Sequence, residues 1–309
     1  MINELQRQEI FDSLVHEREI PLKFAYLDAG ANHWNEMMDV SVNLPVGAKN
    51  LERDTLTAAV EFLAASTEGR SGLHVIDLGC GDGSSALNFI QAVQKQVGAI
   101  SYTAVDLSEA LVATAIAKIQ AAGDFRTAHL VYDFEKSDPA LLHELRNHEK
   151  KNVFLMLGNT LANLPEQKLT LTTMLSALAE EDVFLLGLEL YSAQHAQDLI
   201  KYYGNEKAST FVYYIPGLFG ITPDNTKLRV VWDEQALQVI LLLEVTKPIT
   251  VAHPSAPSYT IHRGEHITVA RSKKYTTEGL QELLVGVAAN SHKVQVGNYV
   301  IMVLSKTHG

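Results

Sequence analysis

The 309-residue chain is poor in several things at once: it has one cysteine, two tryptophans, nine prolines and a deficit of basic charge. Each scarcity excludes something. The lone Cys80 forbids an internal disulfide and a cysteine metal cluster, and it suits a reducing compartment. Apolar runs such as VFLMLG and VFLLGL fall far short of the roughly 20 residues that span a bilayer. The start, Met1-Ile2-Asn3-Glu4, has neither the basic region nor the apolar stretch of a secretory signal, so the expected location is the cytoplasm. With 25 Lys+Arg against 36 Asp+Glu, the formal net charge of −11 repels phosphate backbones and anionic membranes. No nucleic-acid or membrane partner is expected. A lysine-containing phosphate loop is also absent.

What is present is ample material for a core, with 47% hydrophobic and 20% charged residues. Residues 1–48 begin with a helix pattern, INELQRQEIFDSLVHE, followed by KFAYLDAGANHWNEMMD, which has aromatics but no clear period and reads as an arm or lid. From Leu51 the pattern becomes regular: helix LERDTLTAAVEFLAAS, a strand at 74–78, a helix from about 84, strand SYTAVDL, helix EALVATAIAKIQAA and strand AHLVYDF. NVFLML and DVFLLGLEL supply further strands. Strands and helices alternating at this interval predict a parallel, doubly wound α/β sheet. Beyond about residue 195 aromatics crowd a segment broken by Gly204, Pro216, Gly217 and Gly220. Two β-rich runs follow, LRVVWDEQALQVILLLEVTK and YTIHRGEHITVARSKKY, each read as an antiparallel hairpin. The tail returns to helix and strand and completes the sheet. The chain therefore divides into two lobes.

The stretch VIDLGCGDGSS, residues 75–85, ends the first predicted strand in a glycine turn. Gly79, Gly81 and Gly83 allow positive φ or a close ligand, and Ser84-Ser85 are placed to cap the next helix. Such a turn lies at the carboxyl end of the strands, where open α/β sheets bind ligands, but alone it does not say which. The dinucleotide fingerprint GxGxxG fits only in part, because its third glycine falls on Ser84. Asp106 ends the second strand 29 residues after Asp77, and Asp133-Phe134 end the third, so three successive strand ends carry an acid.

DLGCGDG closely resembles the S-adenosylmethionine loop of class I methyltransferases, and the expected fold is accordingly their Rossmann-like doubly wound sheet with a second α+β substrate lobe. The resemblance implies S-adenosyl-L-methionine as cofactor, with Asp77 facing its methionine part beside Gly79 and Gly81. Asp106-Leu107 then falls at the ribose, Asp133-Phe134 at the adenine, and Gly158 on the segment that holds cofactor and substrate. Further along, YTAVDLSEALVATA, VYDFE and FLMLGNTLANLP are similar to the histidine-specific methyltransferases that make trimethylhistidine for ergothioneine. That family includes the dimethylallyltryptophan N-methyltransferase of ergot alkaloid synthesis, and its members methylate an α-amino nitrogen. The implied division is a cofactor-binding domain over 49–194 and 276–309 and a substrate-binding lid lobe over 1–48 and 195–275.

Carried onto this chain, FAYLDAGANHW resembles the family's WxYDxxGSxLF, placing Tyr26 on a substrate-site tyrosine and Trp34 on a substrate-side aromatic. In LGNTLANLP, Thr160 and Asn163 fall on the segment that binds the amino-acid head group, and Tyr203 on a tyrosine that binds the same group. The resemblance thus assigns Asn163 and Tyr26 to the amine, and Tyr203 to the carboxylate or its water. The side-chain end departs from the family: paired tyrosines before a proline become Asn43-Leu44, and a glutamate and serine that bind imidazole correspond to Ala270 and Ser272. Removing polar partners from a buried site disfavours a substrate that needs them. An aromatic or indole-bearing amine fits Ala270, Leu241 and the aromatic lid better than histidine does. Transfer to an oxygen or ring nitrogen, or cofactor binding without turnover, are the alternative readings.

Other motifs carry no chemistry. His143 and His148 in HELRNH are five apart, which at 100° per residue turns them roughly 140° from each other and off a shared metal. No metal is expected. His262 and His266 flank a turn, Cys80 fills space in the loop, and Lys273-Lys274 is too short for an interaction patch.

Overall fold

The computed structural model describes residues 2–41, 48–64, 72–136, 138–254, 256–288 and 290–306. It contains two compact units, one of Gly47–Tyr191 with Lys274–Gly309 and one of Met1–Val46 with Ser192–Lys273.

The larger unit is built on seven strands: β1 (Gly72–Leu78), β2 (Ala99–Asp106), β3 (Arg126–Val131), β4 (Lys151–Met156), β5 (Val183–Glu189), β6 (Asn290–Val296) and β7 (Tyr299–Ser305). Their order in the sheet is β3-β2-β1-β4-β5-β7-β6. The first five are parallel, whereas β7 runs antiparallel to both β5 and β6. Every residue of β1, β4 and β5 is buried, as their largely apolar sequences require of strands covered on both faces. One face packs against helices Ala48–Ala64, Ser84–Val93 and Glu109–Ala122 through Leu56, Phe89 and Ala115. The other packs against Pro139–Glu144, Gln167–Ser176 and Thr277–Leu284 through Leu142, Leu171 and Leu280. This is the class I methyltransferase arrangement: a mixed α/β fold in which the strand order reverses between β1 and β4 while the strands stay parallel. Ligands of open sheets bind outside the strands' carboxyl ends at that reversal. The predicted strands are all present. β6 is an addition: HKVQV forms an edge strand, turned back into β7 by Gly297 at φ +59.

The smaller unit has helices Glu4–His16, Ala29–Ser41, Ala193–Tyr203 and Glu206–Gly217, and a short turn of helix at Leu22–Tyr26. Two departures from the sequence reading lie here. The aromatic stretch after 195 forms two helices, with Ser192 and Asn205 as N-caps and Gly204 ending the first. Pro216 sits in the last turn of the second, where it removes one intrahelical donor just before the helix ends. The run LRVVWDEQALQVILLLEVTK is the expected hairpin, Thr226–Asp233 against Gln238–Val245. The run YTIHRGEHITVARSKKY is not a hairpin. Its first half, in Ala256–Ile261, pairs with Ile249–His253, while His266–Lys273 joins Gln238–Val245 as the third strand of the other sheet. The physical reason is burial. Val239, Leu241, Leu243 and Val245 make one face of the central strand apolar, and Ile267 and Val269 complete it, which a local pairing would leave uncovered. The arm is stitched to this sheet, since Ile20 donates to the Thr268 carbonyl and Thr268 to the Arg18 carbonyl, both at 2.8 Å.

In the larger unit, the points where the chain leaves at residue 191 and returns at 274 are neighbours. Leu190 forms a parallel bridge with Tyr275, and the Tyr191 N–H donates to the Tyr275 carbonyl at 2.8 Å. Lys274, at 1% exposure, is neutralised by Glu189 at 2.9 Å.

Candidate functional site

The turn after β1 takes the shape its glycines permit, with Gly79, Gly81 and Gly83 at φ +75, +51 and +77. At Gly79 a Cβ would come within 2.6 Å of Thr160 Cγ2, and at Gly83 within 2.8 Å of the Ala115 backbone. Only glycine fits either place. The helix N-cap is Gly83 and not the serines; Asp82 accepts from the Ser84 N–H at 3.1 Å and its Oγ at 2.7 Å, and so supplies the cap. Asp82 is also gripped by Lys118. Burial opposes its ionisation, yet Lys118 and Ser84 hold its carboxyl below the usual range.

Two further carboxylates sit beneath this turn. Asp77, at 2% exposure, accepts from the Tyr102 hydroxyl at 2.9 Å. Asp106 accepts from the Gly81 N–H at 3.1 Å through one oxygen and from the Ser108 N–H at 3.0 Å through the other. Burial raises both. Asp77 is pushed up to about 7, the Tyr102 bond being outweighed by desolvation reinforced by the charges of Asp106, Glu52 and Asp82. Burial likewise raises Asp106, against hydrogen bonds from the Ser108, Gly81 and Leu107 backbone. Leu107 is half-buried beside it. On the next strand end, Tyr132 donates its N–H to the Asp106 carbonyl at 2.9 Å, Asp133 is half-buried, and the buried Phe134 ring meets Tyr132 edge-on at 5.6 Å. Cys80 is buried, and burial pushes its thiol well up, so it is no nucleophile.

After β4 the chain turns through Gly158 and Asn159, at φ +65 and +64. The Gly158 N–H is shared between Glu52 Oε2 at 3.0 Å and the Tyr299 hydroxyl at 3.1 Å. Thr160 caps the turn on the Leu157 carbonyl, and Asn163 follows, donating its backbone N–H to the Thr160 carbonyl at 3.2 Å. The Asn163 side-chain oxygen is buried and accepts no hydrogen bond from the described residues.

The larger unit thus brings together Asp77, Gly79, Gly81, Asp106, Leu107, Asp133 and Phe134 at three successive strand ends. Gly158, Thr160 and Asn163 lie on the β4 turn, with Thr160 touching Gly79. In the smaller unit, Tyr26 is half-buried against Trp34 and Phe211, ring centroids 6.3 and 5.4 Å away. Tyr203 lies edge-on to Tyr202 at 5.0 Å. Leu241 pairs directly with Ala270, and Val239 with Ser272, on the buried face of the three-stranded sheet. Asn43 falls outside the described residues. Among the described residues no group of His, Cys, Asp and Glu is arranged to hold a metal, and no helix is long and apolar enough to cross a membrane.

Comparison with known proteins gives one decisive match: the model of the histidine-specific, S-adenosylmethionine-dependent methyltransferases covers residues 6–296. The chain belongs to this family. It is a methyltransferase that uses S-adenosylmethionine. No curated protein matches this methyltransferase's sequence. Similar solved structures include the citrinin polyketide synthase CMeT domain, 13% identical, with 98% of this chain and 69% of that one covered and a TM-score of 0.48. The CcbJ methyltransferase of Streptomyces caelestis is 16% identical over 88% and 96% of the two chains, with a TM-score of 0.42. The glycopeptide N-methyltransferase MtfA with bound S-adenosylmethionine is 14% identical over 81% and 94%, with a TM-score of 0.41.

Two residues escape the motif reading. In the smaller unit, Gly30 starts helix Ala29–Ser41 where a Cβ would meet the Ala25 carbonyl oxygen at 2.0 Å, so the close approach of the two segments admits no side chain. In the larger unit it is Glu52, which had a signal, since it stands four residues before Leu56 and eight before Val60 on the buried stripe of its helix.

The raised Asp77 has a testable consequence for the free methyltransferase. Its folded pKa lies above the unfolded value, so the stability held by the neutral acid is complete below the unfolded pKa and is lost as pH rises through about 7. Asp77→Asn is therefore expected to raise the melting temperature of the ligand-free protein more at pH 8 than at pH 5. The ceiling is about 4 kcal/mol, at 1.36 kcal/mol per pKa unit. Equal shifts at the two pH values would show that Asp77 is ionised throughout.

Proposed function

We propose that this methyltransferase transfers its methyl to the amino group of a small amino acid or derived amine, aromatic or indole-like and not histidine, as the dimethylallyltryptophan N-methyltransferases of its family do. The observation that carries the proposal is the buried Asn163 oxygen with no donor. Buried acceptors are nearly always satisfied, and a neutral amine presents the N–H that this one lacks. In this reading the smaller unit is the substrate-binding lobe.

The residues fit the cofactor. Asp77 and Asp106 are buried carboxylates whose ionised forms are destabilised by desolvation, an environment that a sulfonium or ammonium cation relieves. Asp106 keeps lone pairs for the ribose hydroxyls beyond the two backbone bonds it already accepts. Asp133 and Phe134 suit the adenine amine and ring face, and Gly79, Gly81 and Gly158 allow backbone approach. When bound, S-adenosylmethionine supplies an electrophilic methyl on sulfur. The chain's share of the work is alignment and the exclusion of water, with no covalent residue. Asn163 orients the amine lone pair by accepting one of its hydrogens. The family resemblance assigns Tyr26 to the amine as well, and Thr160 shapes the turn that carries Asn163. Tyr203 takes the carboxylate or its water, Trp34 flanks the substrate, and Leu241, Ala270 and Ser272 with Asn43 set the side-chain end. Ala270 offers only a methyl, so imidazole loses a partner there.

The test is a transfer screen with labelled S-adenosylmethionine against the amino acids, tryptamine-like amines and prenylated tryptophan, read by product mass and fragmentation. Label on the amino nitrogen of an aromatic amine is the expected result. Label on histidine overturns the side-chain assignment, and label on an oxygen or ring nitrogen overturns the Asn163 role.

A further inference from the structure

Glu52 lies on helix Ala48–Ala64, outside every motif, and is 4% exposed. Its carboxylate is the meeting point of three segments. Oε1 accepts from the Ser85 hydroxyl, in the first turn of the helix that follows the glycine loop. Oε2 accepts from the Tyr299 hydroxyl at 2.6 Å and from the Gly158 N–H at 3.0 Å. Tyr299, wholly buried on β7, in turn accepts from the same Gly158 N–H.

Room for this arrangement is made in the middle of β5. A Cβ on Gly187 would fall 2.4 Å from the Tyr299 hydroxyl and 2.8 Å from Leu157 Cδ2. Gly187 is not in the left-handed region, so its lack of a side chain serves close approach and not backbone freedom. A buried acid, a buried phenol and a glycine cleared for the phenol's oxygen thus converge on one backbone amide. Such a satisfied network fixes its members in a single arrangement.

We infer that Glu52 is a positioning residue for methyl transfer, holding the Gly158–Asn163 turn and the Ser85 helix start in the geometry that receives the cofactor. The amide it holds belongs to Gly158, whose own open side has nothing within 4 Å of a would-be Cβ. The N–H is thus held while the residue itself stays exposed. The turn is then ordered before the cofactor arrives, which removes an ordering cost from binding.

This inference rests on the assignment of the Gly158 turn to the cofactor site, and the experiment separates the two. S-adenosylhomocysteine is titrated calorimetrically into the full-length protein and its Glu52→Gln, Tyr299→Phe and Gly158→Ala variants, well below their melting temperatures, alongside amide exchange of the peptide spanning 157–163. Glu52→Gln is expected to weaken binding about tenfold and to speed exchange in that peptide. Tyr299→Phe should act in the same direction by less, and the double variant should be no worse than Glu52→Gln alone. A purely structural Glu52 would lower the melting temperature and leave the affinity of the folded protein within twofold of wild type, which overturns the inference. Should Glu52→Gln not fold, Tyr299→Phe decides in the same way. Gly158→Ala that binds as wild type removes the assignment beneath the inference; Gly158→Ala that binds weakly beside an unaffected Glu52→Gln removes the inference alone.

Discussion

Replacing Asp106 by alanine is expected to weaken cofactor binding by about 100-fold or more while the larger unit stays folded. The carboxylate is held on both oxygens by backbone donors, Gly81 and Ser108, so it is in place before any ligand arrives. A ribose diol bonded to such an acid gains two charge-assisted hydrogen bonds, each worth about 1.5–3 kcal/mol, and their joint loss is a factor of 100 or more. Truncation also leaves the Gly81 and Ser108 N–H groups without their acceptor, so a lower melting temperature accompanies the weaker binding and affinity is measured well below it. Asp106→Asn keeps one acceptor oxygen and is expected to fall between the alanine variant and wild type. Calorimetry with S-adenosylhomocysteine measures both; an alanine variant within threefold of wild type would move the ribose elsewhere.

Asn163→Ala is the complementary case, with its large effect on transfer and not on binding. The residue's backbone N–H already closes the turn on Thr160, so truncating the side chain leaves the turn intact. What disappears is an acceptor that none of the described residues uses. An amine that has lost its orienting partner spends little time in line with the methyl, and misplacement of about 1 Å costs on the order of 100-fold in rate. A fall in kcat of about 100- to 1,000-fold is expected on the best amine from the screen, with S-adenosylhomocysteine affinity within threefold of wild type. Loss of both in equal measure would place Asn163 in the cofactor site.

The larger unit was legible because its signals are local. An apolar run ended by glycines has one sensible fate, and DLGCGDG, YTAVDL and VYDFE each mark their own strand end. Helix Glu109–Ala122 coincides with the segment EALVATAIAKIQAA. What stayed hidden depends on partners distant in sequence. The third strand of the smaller unit's sheet was assigned to a local hairpin because nothing in HITVARSK names Gln238–Val245 as its neighbour. The helices at 193–203 and 206–217 were obscured by Tyr, Phe, Gly and Pro, whose weak helix propensity is overridden by burial of Leu199, Phe211 and Ile215. Lys274, dismissed as half of a basic pair, proves to be a buried ion. Glu52 and Tyr299 lie 247 residues apart, and only the fold makes them partners.

The chain leaves the larger unit after Tyr191 and comes back at Lys274 with those two points joined by a backbone hydrogen bond from Tyr191 to Tyr275 and the buried Lys274–Glu189 pair. An excursion whose ends are clasped in this way is a cassette. The 82 residues from 192 to 273 could lengthen, shorten or be exchanged between lineages without altering the register of any strand in the seven-stranded sheet. Changes of length inside the cassette are thus absorbed away from the scaffold that carries the glycine loop.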